Sequence, residues 1–440
     1  MAEPLRVGLA GLGTVGSAVA AMIMRSRAAL AERAGRPIEL VAYASKDPPK
    51  DPALDLKGVR KIDSPVELAR ADGLDVFVEL MGGDGDPAKG AVEAALGIGR
   101  SVITGNKALL ARHGLALARL AEKTHAALCF EAAVAGGIPI VKTLREGLGG
   151  SRIARIYGIL NGTCNYILTR MDQERLSFAA CLKEAQRLGY AEADPSFDIG
   201  GFDTAHKLAI LTSLAFGTEV DTEAVHVEGI ESISLDDLEA ADELGYRVKL
   251  LGVAQRTSVG IEQRVHPTMV RKGTVIAGID GVTNAVAIDA DTMELTLMGP
   301  GAGGAASSAS VVADLTDLAA GRHSPAFGRP VACLARPQRA PIQRHEGGYY
   351  IRLAAVDRPG TAATIARRMA DENISLESIM QRGRDRIPHG GEDPRRVDKP
   401  AAVALITYAT SEDAVRRALA AIERDGVIAE KPQVIRIEKS

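Results

Sequence analysis

Short apolar runs alternate with helix-period patterns through the first third of the chain. Residues 6–10, 38–44, 76–80 and 101–104 read as strands, and residues 17–30, 87–96 and 113–124 read as helices. This strand–helix alternation predicts a parallel sheet covered by helices, an α/β class of fold. A middle region, about residues 131–297, mixes helical patterns at 178–188 and 203–216 with β-type runs at 248–253 and 259–265. A Gly- and Ala-rich stretch, 299–310, then leads into a helical pattern over 311–320. Pro325, Pro330, Pro337 and Pro341 mark residues 325–343 as a linker.

The last hundred residues change rhythm again. Strand patterns at 349–356, 375–381, 401–409 and 434–438 enclose helical ones at 361–373 and 411–424. The order β-α-β-β-α-β is that of a ferredoxin-like unit. Residues 384–399 interrupt it with a charged, Gly- and Pro-containing run, expected to be a mobile hairpin loop.

At 440 residues the chain exceeds one ordinary core, which agrees with two or three domains. A net charge of -3, 3% aromatic content and no Trp give no footprint for nucleic acid or a membrane surface. No apolar run reaches the roughly 18 residues of a membrane helix. Residues 1–5 lead straight into a strand pattern, so no signal peptide is read and a cytoplasmic protein is expected. Cys129, Cys164, Cys181 and Cys333 show no CxxC spacing and read as reduced thiols.

Gly11-Leu12-Gly13-Thr14-Val15-Gly16 is a GxGxxG placed directly after a strand and before a helix. The first glycine permits the tight turn, the second admits a pyrophosphate and the third lets helix and strand pack closely. The helix start offers free N–H groups to the anion. The second strand ends Tyr43-Ala44-Ser45-Lys46-Asp47. Ser45 and Lys46 can receive a 2′-phosphate, which favours NADP, while the nearby Asp47 keeps NAD open. A solvated loop lysine is the competing reading of Lys46.

The densest chemistry lies between Gly189 and Ile210, where Glu192, Asp194, Asp198 and Asp203 crowd a turn-rich approach to a helix bearing Lys207. Asp203 and Lys207 are four residues apart and share a helix face. Burial lowers the pKa of a lysine towards neutrality, whereas an adjacent aspartate stabilises its ammonium. The residues alone leave two readings: an acid–base lysine, or an acid near a helix start in a surface ion pair.

Six segments in order resemble the homoserine dehydrogenase family over essentially the whole chain. They are Gly11–Gly16, Glu79-Leu80-Met81-Gly82-Gly83, Thr104-Gly105-Asn106-Lys107-Ala108-Leu109-Leu110, Glu131 to Pro139, Leu160-Asn161-Gly162-Thr163-Cys164-Asn165-Tyr166, and Glu192 to Lys207. The resemblance implies interconversion of L-homoserine and L-aspartate 4-semialdehyde with NAD(P)(H), in threonine, methionine and isoleucine biosynthesis. It implies that Lys207 is the catalytic lysine and Lys107 a second lysine between nicotinamide and substrate. Glu192, Asp198 and Asp203 become substrate-site acids, and Gly301 joins Gly11, Gly13, Thr14, Val15, Gly16, Lys46 and Lys107 at the cofactor. A monovalent cation such as sodium is implied at Glu131 and the carbonyls of Val134, Gly136 and Ile138.

The C-terminal unit resembles an ACT domain through Val356-Asp357-Arg358-Pro359-Gly360 and Ile374-Ser375-Leu376-Glu377-Ser378. That resemblance implies L-threonine as effector, received at Asp357, Arg358, Pro359 and Gly360, in a homodimer or homotetramer. An oligomerisation module that senses nothing is the alternative. The implied division is a dinucleotide domain over 1–135 completed by about 299–322, a catalytic and dimerisation domain over 136–298, a linker over 323–346 and a regulatory domain over 347–440. One departure is Ala305-Ala306-Ser307-Ser308-Ala309 after Gly301–Gly304, where the family has Pro-Thr-Ala-Ser; the helix returning to the cofactor domain is expected to start differently.

Two other functions compete. A semialdehyde dehydrogenase working through a cysteine thioester needs a reactive thiolate and an activating histidine, and Cys164 has no histidine nearby in sequence. A non-catalytic regulator binding NADP and an amino acid requires no Lys207. Cys164 reads as packing and His206 as a helix-surface residue.

Overall fold

The computed structural model describes residues 2–381 and 400–438. The first sheet has six strands: β1 (Leu5–Ala10), β2 (Ile38–Ala44), β3 (Arg60–Lys61), β4 (Val76–Glu79), β5 (Ser101–Thr104) and β6 (Leu128–Cys129). Their spatial order is β3-β2-β1-β4-β5-β6, and every pairing is parallel. Val7, Leu9, Phe77, Val78, Val102 and Ile103 are fully buried. Helices cover both faces, as parallel strands require, because such strands carry no solvent face. Chain order reverses between β1 and β4, so a crevice opens beyond their C-terminal ends.

The second sheet is built from β7 (Ile153–Ile159), β8 (Val225–Val227), β9 (Tyr246–Thr257), β10 (Gly260–Arg271), β11 (Thr283–Ala290), β12 (Glu294–Pro300), β13 (Glu346–Ala355), β14 (Leu376–Gln381), β15 (Ala401–Thr407), β16 (Thr410–Ser411) and β17 (Gln433–Glu438). Its main path runs β12-β11-β7-β9-β10-β17-β13-β15-β14. The expected β-α-β-β-α-β order is present as β13, helix Thr361–Asp371, β14, β15, helix Glu412–Arg424 and β17, with the small β16 strand leading into the second helix. This unit is joined edge to edge with the central sheet, because Thr268–Val270 of β10 pair in parallel with Arg436–Glu438 of β17.

Four segments differ from the sequence reading. The helix expected from residue 113 begins at Lys107, because the Asn106 side chain caps it by accepting the Leu109 N–H at 3.1 Å. The helix expected over 17–30 is two, Thr14–Arg25 and Arg27–Ala34, broken at Ser26. The helix expected over 311–320 starts at Gly304. Its first turn looks loop-like in composition because Gly and Ser weaken helices, yet close packing on helix Thr14–Arg25 demands small residues: a Cβ at Gly304 would lie 3.0 Å from the Thr14 carbonyl oxygen. The Pro-rich stretch after it is no free tether. Phe327 is buried against Phe130, and Ala335 and Arg339 form bridges to Thr218 and Ile261. The run at 384–399 lies outside the described residues. Among the described residues no helix is long and apolar enough to cross a membrane.

Candidate active site

The glycine turn has the geometry its spacing implies. Gly11 has φ +93°, and a Cβ there would meet the Leu80 carbonyl oxygen at 2.6 Å. A Cβ on Gly16 would fall 1.9 Å from the Gly11 carbonyl oxygen, so the third glycine is what lets the helix sit against the strand. Nothing lies within 4 Å of the Cβ position of Gly13, which leaves backbone open towards the crevice. No side chain caps helix Thr14–Arg25, so its first N–H groups remain available to an anion. Lys46 is exposed beyond β2, and the Ser45 hydroxyl donates to the Asp47 carbonyl at 2.7 Å.

A cavity of about 290 Å³ brings this turn together with the residues of the second half-site. Val15, Lys107, Gly136, Lys207, Gly301 and Ser307 all line it. Beneath it, Glu79 is wholly buried and braces the wall: one carboxylate oxygen accepts the N–H groups of Met81 and Gly82, the other the Thr104 hydroxyl at 2.6 Å.

Asp203 is the hub of the charged group. Gly201, at φ +85°, turns the chain into helix Phe202–Phe216, which places Asp203 in the first turn and Lys207 one turn on. The Lys207 ammonium donates to Asp203 Oδ2 at 2.7 Å and to the Leu160 carbonyl at 2.7 Å. Lys107 Nζ meets the other oxygen of Asp203 at 3.1 Å. Burial opposes ionisation of Asp203, but Lys207 and Lys107 outweigh it and hold its carboxyl below the usual carboxylate range. Asp198, on the short helix Ser196–Ile199, is shifted the other way, by burial and then by the charge of Asp203.

The remaining expected residues fall around this group. Glu192 is exposed, and its backbone carbonyl accepts from the Gln186 side chain at 3.0 Å. Glu131 is buried, its two oxygens accepting the N–H groups of Val141 at 2.9 Å and Lys142 at 2.8 Å. Burial, then the neighbouring Asp314, pushes its carboxyl up to about 7. Val134, Gly136 and Ile138 follow on the next loop, where Ala135 has φ +52° and the Gly136 carbonyl accepts the Ser310 hydroxyl at 2.6 Å. Glu131 and the carbonyls of Val134, Gly136 and Ile138 offer oxygen donors only, the type a hard cation takes, and a cation at Glu131 would keep it ionised. Asp357, Arg358, Pro359 and Gly360 form an exposed turn between β13 and helix Thr361–Asp371.

Two expectations about side residues resolve differently. Cys164 is fully buried, its thiol donates to the Asp198 carbonyl at 3.2 Å, and burial pushes its ionisation up, so it is packing and not a nucleophile. His206 is half-buried on its helix, edge-on to Phe197 at 5.3 Å, and burial lowers its affinity for a proton. Asn161 and the Leu160 carbonyl were not singled out from sequence, although they lie in a motif that was. A neutral amide and a backbone oxygen leave no charge pattern to read.

Comparison with known proteins bears on this geometry. A family model described as "Homoserine dehydrogenase, NAD binding domain" matches residues 11–131, and one described as "Homoserine dehydrogenase" matches residues 139–316. The chain is similar to the homoserine dehydrogenase of Neisseria gonorrhoeae, with 41% identity over 99% of each chain. It is also similar to the crystal structure of a homoserine dehydrogenase from Thiobacillus denitrificans, with 40% identity, a TM-score of 0.91 and 99% of each chain covered. A hyperthermophilic archaeal homoserine dehydrogenase mutant, described in complex with NADPH, matches 72% of this chain and 97% of its own at 27% identity and a TM-score of 0.61.

Proposed function

The chain belongs to the homoserine dehydrogenase family of oxidoreductases, and from that premise we propose how its residues interconvert L-homoserine and L-aspartate 4-semialdehyde. The observation that carries the reading is that Lys207 and Lys107 line the same cavity as Val15 of the glycine turn, with Asp203 bonded to both lysines.

A nicotinamide cofactor held on residues 11–16 supplies or accepts the hydride at C4 of the substrate. In the reducing direction the Lys207 ammonium passes a proton to the carbonyl oxygen as that hydride arrives, and the product is the primary alcohol. In the oxidising direction the same amine takes the proton back. Asp203 keeps Lys207 aimed, and Lys107 shares its charge. Asp198, Asp203 and Glu192 offer anions to the substrate ammonium. Lys46, free at the end of β2, supports NADP as the preferred cofactor. Glu131 with the carbonyls of Val134, Gly136 and Ile138 would hold a monovalent cation at the loop beside Gly301.

The C-terminal unit is read as an ACT domain that answers to L-threonine. Its support is the β-α-β-β-α-β order and the open turn at Asp357–Gly360. A homodimer or homotetramer is supported by β12, an edge strand that leaves Met298 60% exposed.

The test is homoserine-dependent reduction of NADP and NAD at 340 nm, in wild type and Lys207→Ala, with and without threonine. Turnover that disappears in the variant, with NADP preferred and threonine inhibitory, is the expected result. Cofactor binding without turnover of homoserine would overturn the reading.

A further inference from the structure

Four residues of one segment, Leu160, Asn161, Thr163 and Cys164, make five hydrogen bonds to the chain around the site acids and Lys207. The Leu160 carbonyl accepts the Lys207 ammonium, and the Thr163 hydroxyl donates to the Tyr190 carbonyl at 2.6 Å, two residues before Glu192. The Cys164 thiol donates to the Asp198 carbonyl. Between them, Asn161 is buried and spends both hydrogens of its amide nitrogen on carboxylates: Asp198 Oδ1 at 2.8 Å and Asp203 Oδ2 at 2.9 Å. Its amide oxygen accepts the Cys164 N–H at 2.8 Å and caps helix Gly162–Glu174.

We propose that Asn161 is a positioning residue: its amide bridges Asp198 and Asp203 so that the two carboxylates face one space as a joint receptor for the substrate's ammonium group. The inference rests on the proposed function above. Asp198 is half-buried beside the buried Asp203, and the two carboxylates repel, while Asp203 is already committed to Lys207 and Lys107. Among the described residues Asp198 has no such cation in bonding contact. It faces Asp203 and Lys207 on helix Phe202–Phe216, Lys107 on helix Lys107–Thr124, and Asn161 and Cys164 at the start of helix Gly162–Glu174. The amide is therefore the group that directly bonds Asp198 while it is charged, and it fixes which way that carboxylate points. Without it, Asp198 takes up a proton at a higher pH and turns from its partner.

The experiment separates the bridge from the helix cap. Asn161→Ser keeps a capping oxygen and loses both N–H donors, and Asn161→Asp keeps the cap and adds a third carboxylate. In Asn161→Ser, kcat/KM for homoserine should fall about 10- to 100-fold, carried mainly by KM, with NADP affinity unchanged. The acid limb of the kcat/KM profile should move up by about one pH unit in Asn161→Asp. Wild-type KM and acid limb in both variants would overturn the proposal.

A second readout needs no turnover. An added acid whose folded pKa is raised weakens the fold above its unfolded pKa and is relieved as the pH falls. Asn161→Asp should then melt several degrees below wild type at pH 8, roughly 2–4 °C per kcal/mol lost, and close to it at pH 5. An equal deficit at both pH values would sink the bridge. Absence of homoserine turnover in wild type would sink the function and leave this measurement to decide the bridge.

Discussion

Two buried groups of charge lie in the same molecule and are built differently. Around the cavity, one aspartate serves two lysines, and a second aspartate bonds, among the described residues, to an amide. Where the C-terminal unit meets the central sheet, arginines replace the lysines and every carboxylate has one. Arg264 is 1% exposed and bonds Glu262 and Glu438, while Arg155 also bonds Glu438. Arg436 grips Glu228 through two nitrogens, at 2.9 and 3.0 Å, and Glu412 through two more contacts. Guanidinium forks match carboxylates bidentately and stay charged, so the carboxylates of this junction are held by cations that keep their protons. Lysines are point charges that can give up a proton, and the cavity group is left short of partners. The arginine group fastens two units, whereas the lysines of the other line a cavity.

The contrast is tested by breaking each group and asking which property fails. Asp203→Asn removes the shared anion and should lower kcat/KM for homoserine by roughly 10²–10⁴-fold, a larger effect than the stability lost by leaving Lys207 without its anion. A variant of near-normal kcat/KM would place Asp203 outside the chemistry. Arg264→Met should act on stability instead, costing about 3 kcal/mol in denaturant unfolding because buried Glu262 loses its arginine and Glu438 keeps only Arg155. Its kcat should stay close to wild type, and a stable variant would show that the junction is held by packing alone.

The smallest effect concerns Glu131. Its carboxyl is pushed up to about 7 in the fold, above its unfolded value. The stability it contributes is thus present at low pH and lost as the pH rises towards about 7. Sodium, if it binds at Glu131 as proposed, would offset that loss by favouring the charged form. Added sodium should raise Tm by a few degrees at pH 8 and hardly at all at pH 5. An equal rise at both would point to a general salt effect.

Much of this was legible because it depends on local spacing. The first sheet follows from alternating apolar runs, and the glycine turn from three residues whose backbone roles are fixed by sterics. The i,i+4 spacing of Asp203 and Lys207 survives as a 2.7 Å ion pair. Errors came where packing overrode composition. Gly304 to Ser308 reads as loop yet is helix, since it must lie against residues 14–25.

Sequence by itself determined the parallel sheet, the phosphate-facing turn, the β-α-β-β-α-β tail and the acids and lysines available for chemistry, because period, chirality and spacing act over a few residues. Tertiary structure alone decided that Lys107, 100 residues before Lys207, meets the same aspartate. It decided too that Asn161 spans two acids and that β17 extends the central sheet. Those contacts join residues far apart in the chain, and long-range packing, not local preference, fixes where they meet.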